Sequence, residues 1–96
     1  MSTYVALIDG EAGALGVSFP DLPGCVTMAE TEHEALAKAS EALAFHLEGM
    51  RRRGLPIPSP RSLDKLRSIG EFAEDFAGAK AVALVSAADQ AVASAK

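Results

Sequence analysis

Asp9, at the end of the first apolar run, and Asp89, just after the last one, would approach one another if those runs are adjacent strands. Such a pair is the beginning of a divalent-metal nuclease site. Two-metal phosphodiester chemistry needs several carboxylates converging on cations about 4 Å apart. The next candidates, Glu41 and Glu48, fall on a helical stretch but off its apolar stripe. No DxD pair or histidine–carboxylate motif joins them, and turn, cap and solvated-face placements account for all four acids.

Cys25, the single cysteine, with His33 or His46 suggests a nucleophile and its base, yet nothing in the spacing demands that pairing. A cysteine opening a short strand packs as a small apolar residue, and a reactive thiol needs an electropositive, accessible setting that this acidic stretch does not supply. His33 reads as solvent-exposed in a first helical turn, and His46 as a boundary position beside the core stripe. Arg51, Arg52 and Arg53 form a basic run that could hold phosphate. Their place at a helix C-terminus has a simpler cause in the helix dipole, and consecutive positions fan around the axis. The loop "FPDLPG" offers Asp21 and Leu22 as an acidic and an apolar contact on a rigid turn, with Phe19 packing inward.

The elements that position these residues follow from pattern. "TYVALID", Thr3 to Asp9, is β-branched and aromatic and closes at Gly10, so it reads as a strand. "LGVSF", Leu15 to Phe19, alternates with period two and pairs with it as a hairpin through "GEAGA". In "PDLPG", Pro20 and Pro23 fix φ and Gly24 tolerates positive φ, which sets where a third strand, "CVTMA", begins. Cys25 and Thr27 then share one face, and Val26 and Met28 the other.

"TEHE", Thr31 to Glu34, is a capping box, with the Glu34 carboxylate expected on the Thr31 amide. Leu36, Ala39, Leu43, Leu47 and Met50 then recur at helical spacing, giving an amphipathic helix of about six turns that stops at Gly54 before "LPIPSP". Ser62 caps a short helix with Leu63, Leu66 and Ile69 on one side. Residues 70–78, "GEFAEDFAG", fit neither period. "KAVALVSA", Lys80 to Ala87, is a last strand, and Ser86 with Asp89 could begin a short helix after it. A strand reached through a long helix returns most easily parallel to one already in the sheet. The order β-β-β-α-(α)-β therefore predicts a two-layer α/β (α+β) sandwich: an antiparallel meander plus a fourth strand.

A chain of 96 residues holds one core, and residues 1–96 read as a single domain. At 49% hydrophobic and 23% charged it is a folded rather than a disordered composition. No apolar run approaches the roughly 20 residues that span a bilayer, and no basic segment precedes the first apolar stretch. With one cysteine, these features predict a cytoplasmic protein without membrane contact. A formal charge of −4 disfavours non-specific nucleic-acid binding and suits a basic partner.

Three blocks in register, "FPDLPGC", "T-x-x-EAL-x-x-A-x-EAL" and "G-x-x-IP-x-P", resemble the core of the HicB-like antitoxins of type II toxin–antitoxin systems, over about half the chain. The resemblance implies a truncated ribonuclease H-like fold without nuclease activity, needing no cofactor or metal. It implies an antitoxin, not an enzyme, that binds and occludes a small basic HicA-like toxin cleaving mRNA. Phe19, Asp21, Leu22, Glu41 and Glu48 are the candidate toxin interface. Relatives often carry a C-terminal DNA-binding module, whereas only nine residues follow the last predicted strand here, so no DNA binding is expected from this chain alone. A homo-oligomer is expected because an open sheet leaves edges to cover. The rival expectations are a solitary oligomeric scaffold or ligand-binding module, and a divalent-metal nuclease.

Overall fold

The unbroken apolar run ahead of Gly10 becomes the centre of the fold. In the computed structural model, which describes residues 3–87, it forms β1 (Thr3–Glu11). Tyr4, Val5, Ala6, Leu7 and Ile8 are all buried. Alternate residues of a strand point to opposite faces, so burial of five in succession requires cover on both. A tight turn at Ala12 and Gly13 leads into β2 (Ala14–Ser18), with Glu11 opposite Ala14 and Leu7 opposite Ser18. Gly10 has φ +93°, and a Cβ there would lie 2.5 Å from the Ala14 carbonyl oxygen, so the hairpin needs glycine at this point.

The "PDLPG" segment makes two successive turns. The Leu22 N–H donates to the Phe19 carbonyl, and the Cys25 N–H to the Leu22 carbonyl, each at 3.0 Å. The second has Pro23 and a positive-φ Gly24 at its centre, the residues of a type II turn. β3 (Val26–Ala29) then pairs antiparallel with β2.

Helix α1 (Glu32–Arg52) starts as its capping residues dictate. Thr31 Oγ1 accepts the Glu34 N–H at 3.1 Å, while Glu34 Oε1 accepts from the Glu30 N–H at 2.7 Å, one residue earlier than the capping box predicts. Its buried face is Ala35, Ala39, Leu43, Ala44 and Leu47. Leu36, expected on that stripe, is 46% exposed at the rim. Small alanines bring the helix close to the sheet, and Leu43 alone contributes about 2 kcal/mol of burial. Arg53 ends the helix and Gly54, at φ +69°, reverses the chain.

Ser62 Oγ accepts the Lys65 N–H at 3.1 Å and opens α2 (Leu63–Arg67). The ambiguous stretch resolves into a 3-10 turn (Gly70–Phe72) running into α3 (Ala73–Gly78). These short helices lie on the face opposite α1. Val5 and Leu7 form a second core there with Leu66, against which Leu63, Phe72, Phe76 and Val82 pack. The predicted sandwich is therefore an α+β fold, with a partial third layer over the β1–β4 half.

β4 (Ala81–Ser86) completes a four-stranded sheet in the order β3-β2-β1-β4, every neighbouring pair antiparallel. The expected parallel return does not occur. A single crossover helix would bring the chain back to the end of the sheet where β3 begins. Here α1 carries the chain down one face, and residues 55–80 carry it back up the other. β4 consequently enters beside Ile8 and runs down against β1, from Ala81 opposite Ile8 to Ser86 opposite Thr3. Ser86 is thus a strand residue, and Asp89, its predicted helical partner, lies outside the described residues.

Candidate functional site

At the end of the sheet where β1 begins and β2 ends, the conspicuous loop meets the Pro-rich linker. Phe19 and Leu22 are 3% and 1% exposed and belong to the α1-side core. Asp21 is the one buried charged residue among those described. Its Oδ1 accepts from Arg61 Nε at 2.6 Å and its Oδ2 from the Arg61 N–H at 2.8 Å. Beside it, the buried Tyr4 hydroxyl donates to the Pro58 carbonyl at 2.5 Å. Burial, and then the Asp21 charge, hold the Tyr4 phenol above its usual pKa. The Arg61 guanidinium also lies over the Phe72 ring, 5.6 Å from its centroid.

Phe19, Asp21 and Leu22 therefore do not project as contact residues. Two prolines turn the loop back on itself, which points Leu22 into the core and aims the Asp21 carboxylate at the linker. The loop is a clamp. Through Asp21, with Tyr4 of β1 beside it, it holds a linker whose residues 55–61 are otherwise exposed, and Arg61 ties that linker to the second core. Little in the sequence marks Tyr4 and Arg61 for these roles, since their partners lie 54 and 40 residues away.

The outer surface of α1 retains the other two candidates. Glu41 is exposed. Glu48 is partly exposed and shared, accepting from Arg51 and, at 3.2 Å, from Arg52 Nε. Arg53 Nε donates to the Gly49 carbonyl at 3.4 Å. Of the arginine run, Arg53 alone thus reaches a carbonyl of the last helical turn, while Arg51 and Arg52 are taken up by Glu48. Glu34, Glu41 and Glu48 recur every seven residues and so follow one line along the helix. Phe45, absent from the residues singled out by pattern, stands 82% exposed between the last two. A phenylalanine at an outward helical position is the signal the sequence offers for it.

The remaining chemical candidates are dispersed. Cys25 is buried, its Sγ directed at the Ala42 carbonyl at 3.7 Å, and burial pushes its thiol up to about 11. A thiol so placed is protonated at neutral pH and is not a poised nucleophile. His33 is exposed and His46 half-buried. Asp9 is exposed on the face away from α1, and its proposed partner Asp89 is outside the described residues. Among the described residues no three histidine, cysteine or acidic side chains gather as metal ligands, and no helix is long and apolar enough to cross a membrane.

Comparison with known proteins assigns the family. A chain of the HicA3 and HicB3 toxin-antitoxin complex superposes with a TM-score of 0.69 at 24% identity, covering 91% of this chain and 99% of that one. The antitoxin HicB of Burkholderia pseudomallei superposes with a TM-score of 0.70 at 28% identity, covering 90% of this chain and 63% of that one. An uncharacterized 14.9 kDa protein from the rep-hol intergenic region of Haemophilus phage HP1 is 37% identical over 60 residues, 62% of this chain and 44% of that protein. The chain thus spans less than half of the phage relative and under two thirds of the Burkholderia antitoxin. The family model described as HicB_like antitoxin of bacterial toxin-antitoxin system matches residues 4–94, nearly the whole chain, and the chain belongs to that family.

Proposed function

We propose that this chain is the toxin-binding part of a cytoplasmic antitoxin and acts by covering a small basic, HicA-like ribonuclease rather than by chemistry of its own. The family match over residues 4–94 carries this reading. A chain of like fold occurs in a complex of HicA3 with HicB3. The net charge of −4 favours a basic partner, chiefly through association rate and selectivity. On this reading the sheet is a truncated ribonuclease H-like platform, and Glu41 and Glu48 on the outer side of α1 meet the toxin. The chain works as a homo-oligomer, because both outer strands of its sheet otherwise stand open.

The test is capture of the tagged chain from its native host, followed by intact mass of what co-purifies. A stoichiometric basic protein whose ribonuclease activity returns on separation is the expected result. Glu41→Lys/Glu48→Lys should then weaken capture about tenfold, with a shallower dependence on salt. Recovery of the folded chain alone would overturn the reading.

A further inference from the structure

Two strands close the sheet, β3 and β4. Of the four residues of β3, Val26 and Met28 turn away from α1 and are 64% and 62% exposed, because α2 and α3 cover only the other half of that face. The strand carries no proline and no charge, the usual protections of an edge. On the opposite face Phe45 overhangs the same edge, lining a shallow hollow with Thr27, Lys38, Glu41 and Ala42. β4 shows a single large exposed apolar residue, Leu84.

We propose that β3 pairs antiparallel with β3 of a second copy, about a two-fold axis at Thr27, joining the two sheets into one. This deepens the homo-oligomeric part of the proposed function and is independent of the toxin. Centring the register on Thr27 sets Val26 opposite Met28 of the second copy, twice by symmetry, so each exposed side chain covers another. On the helix side, Thr27 borders both Lys38 and Phe45, which lie seven residues, about 10 Å, apart on one flank of α1. The same axis runs the two α1 helices antiparallel and brings Lys38 over Phe45 of the second copy, a cation–π arrangement. A second copy fits better than a basic toxin. Lys38 and Glu41 cancel in charge along this flank, which therefore offers little to a strongly basic surface while complementing itself.

Sedimentation velocity on the full chain tests the pairing, with thermal melts as the check on folding. The wild type should be dimeric at concentrations on the order of 100 µM. Val26→Lys/Met28→Lys places like charges opposite one another and should raise the dimer dissociation constant about tenfold or more. Val26→Lys/Met28→Glu sets opposite charges face to face and should restore dimerisation to within about threefold. These side chains are exposed, so all variants should fold. Thr27→Cys should form a disulfide-linked dimer on mild oxidation, since directly opposed residues lie about 4.5–5.5 Å apart, whereas Leu84→Cys should not. A monomeric wild type would overturn the pairing together with the homo-oligomeric reading. A dimer that ignores the lysine substitutions, or cross-links through Leu84→Cys, would overturn the edge assignment alone.

Discussion

Replacing Asp21 by alanine should be among the more damaging single changes in this chain, although the residue lies in a turn. Its side chain is 2% exposed and accepts two bonds from Arg61, one from Nε at 2.6 Å and one from the backbone N–H at 2.8 Å. Hydrogen bonds to a charged group contribute about 1.5–3 kcal/mol each. The lower figure applies, because the Arg61 side chain is 41% exposed and regains water when released. The expected loss is therefore about 3 kcal/mol, a fall in melting temperature of about 12–24 °C for a domain of this size. Arg61→Ala should cost a similar amount, since it strips the guanidinium from a buried carboxylate. The double variant should fall short of the sum by about 2 kcal/mol, because each single change already breaks the shared contact. Urea unfolding of all four proteins measures this, with proteolysis in residues 55–61 as a local report on the freed linker. Additivity within about 0.5 kcal/mol would show that the pair is not coupled and would refute the clamp.

Alkaline pH should destabilise the fold in a definite window. The unfolded Cys25 thiol ionises near its ordinary 9.0 while the folded one holds its proton to about 11, so stability is level below pH 9 and falls between those values. Tyr4, raised by burial and by Asp21, extends the fall above pH 10; Cys25→Ala should remove the earlier part, as followed by denaturation midpoints from pH 8 to 11. Gly10→Ala should cost about 3 kcal/mol, since it combines a left-handed φ with a backbone clash at 2.5 Å. Gly24→Ala, with φ +89° and nothing within 4 Å, should cost only about 1 kcal/mol. Equal losses in thermal melts would show that the clash at Gly10 is relieved by movement of the turn.

Local chemistry made much of the fold legible. The Thr31 cap, the Gly54 stop and the Ser62 cap act over a few residues, and the helices begin or end where they predict, whereas β1 runs two residues past the expected close at Asp9, carrying Gly10 into the ladder opposite Leu15. The path of the chain between α1 and β4 was not legible in the same way. Residues 70–78 carry Phe72 and Phe76 four apart, too short a run for a helical period to stand out, yet these two rings help cover the second face of β1. The unbroken apolar run from Tyr4 to Ile8 was the available clue that this strand needed cover on both sides. For the site, the loop misled because a rigid turn rich in proline is equally suited to present a side chain and to bury one. Which occurs at Asp21 depends on Arg61, and a contact across 40 residues leaves no periodicity to read.

The two proposed surfaces constrain one another. In a sheet made continuous through β3, both α1 helices lie on the same side, because a two-fold axis normal to the sheet preserves its faces. The flank of each helix that holds Ala42, Lys38 and Phe45 turns toward the axis. The line of Glu34, Glu41 and Glu48 runs along the outer surface, displaced from that flank toward the β4 side by the helical pitch of about 100° per residue. Edge pairing therefore leaves one glutamate line open on each copy and points both in the same direction. A basic toxin on each would sit beside its twin and meet the β3 interface only at Glu41, so the same helix can serve assembly on one flank and recognition on its crest. Glu41, which borders both, is the position where the two roles would compete.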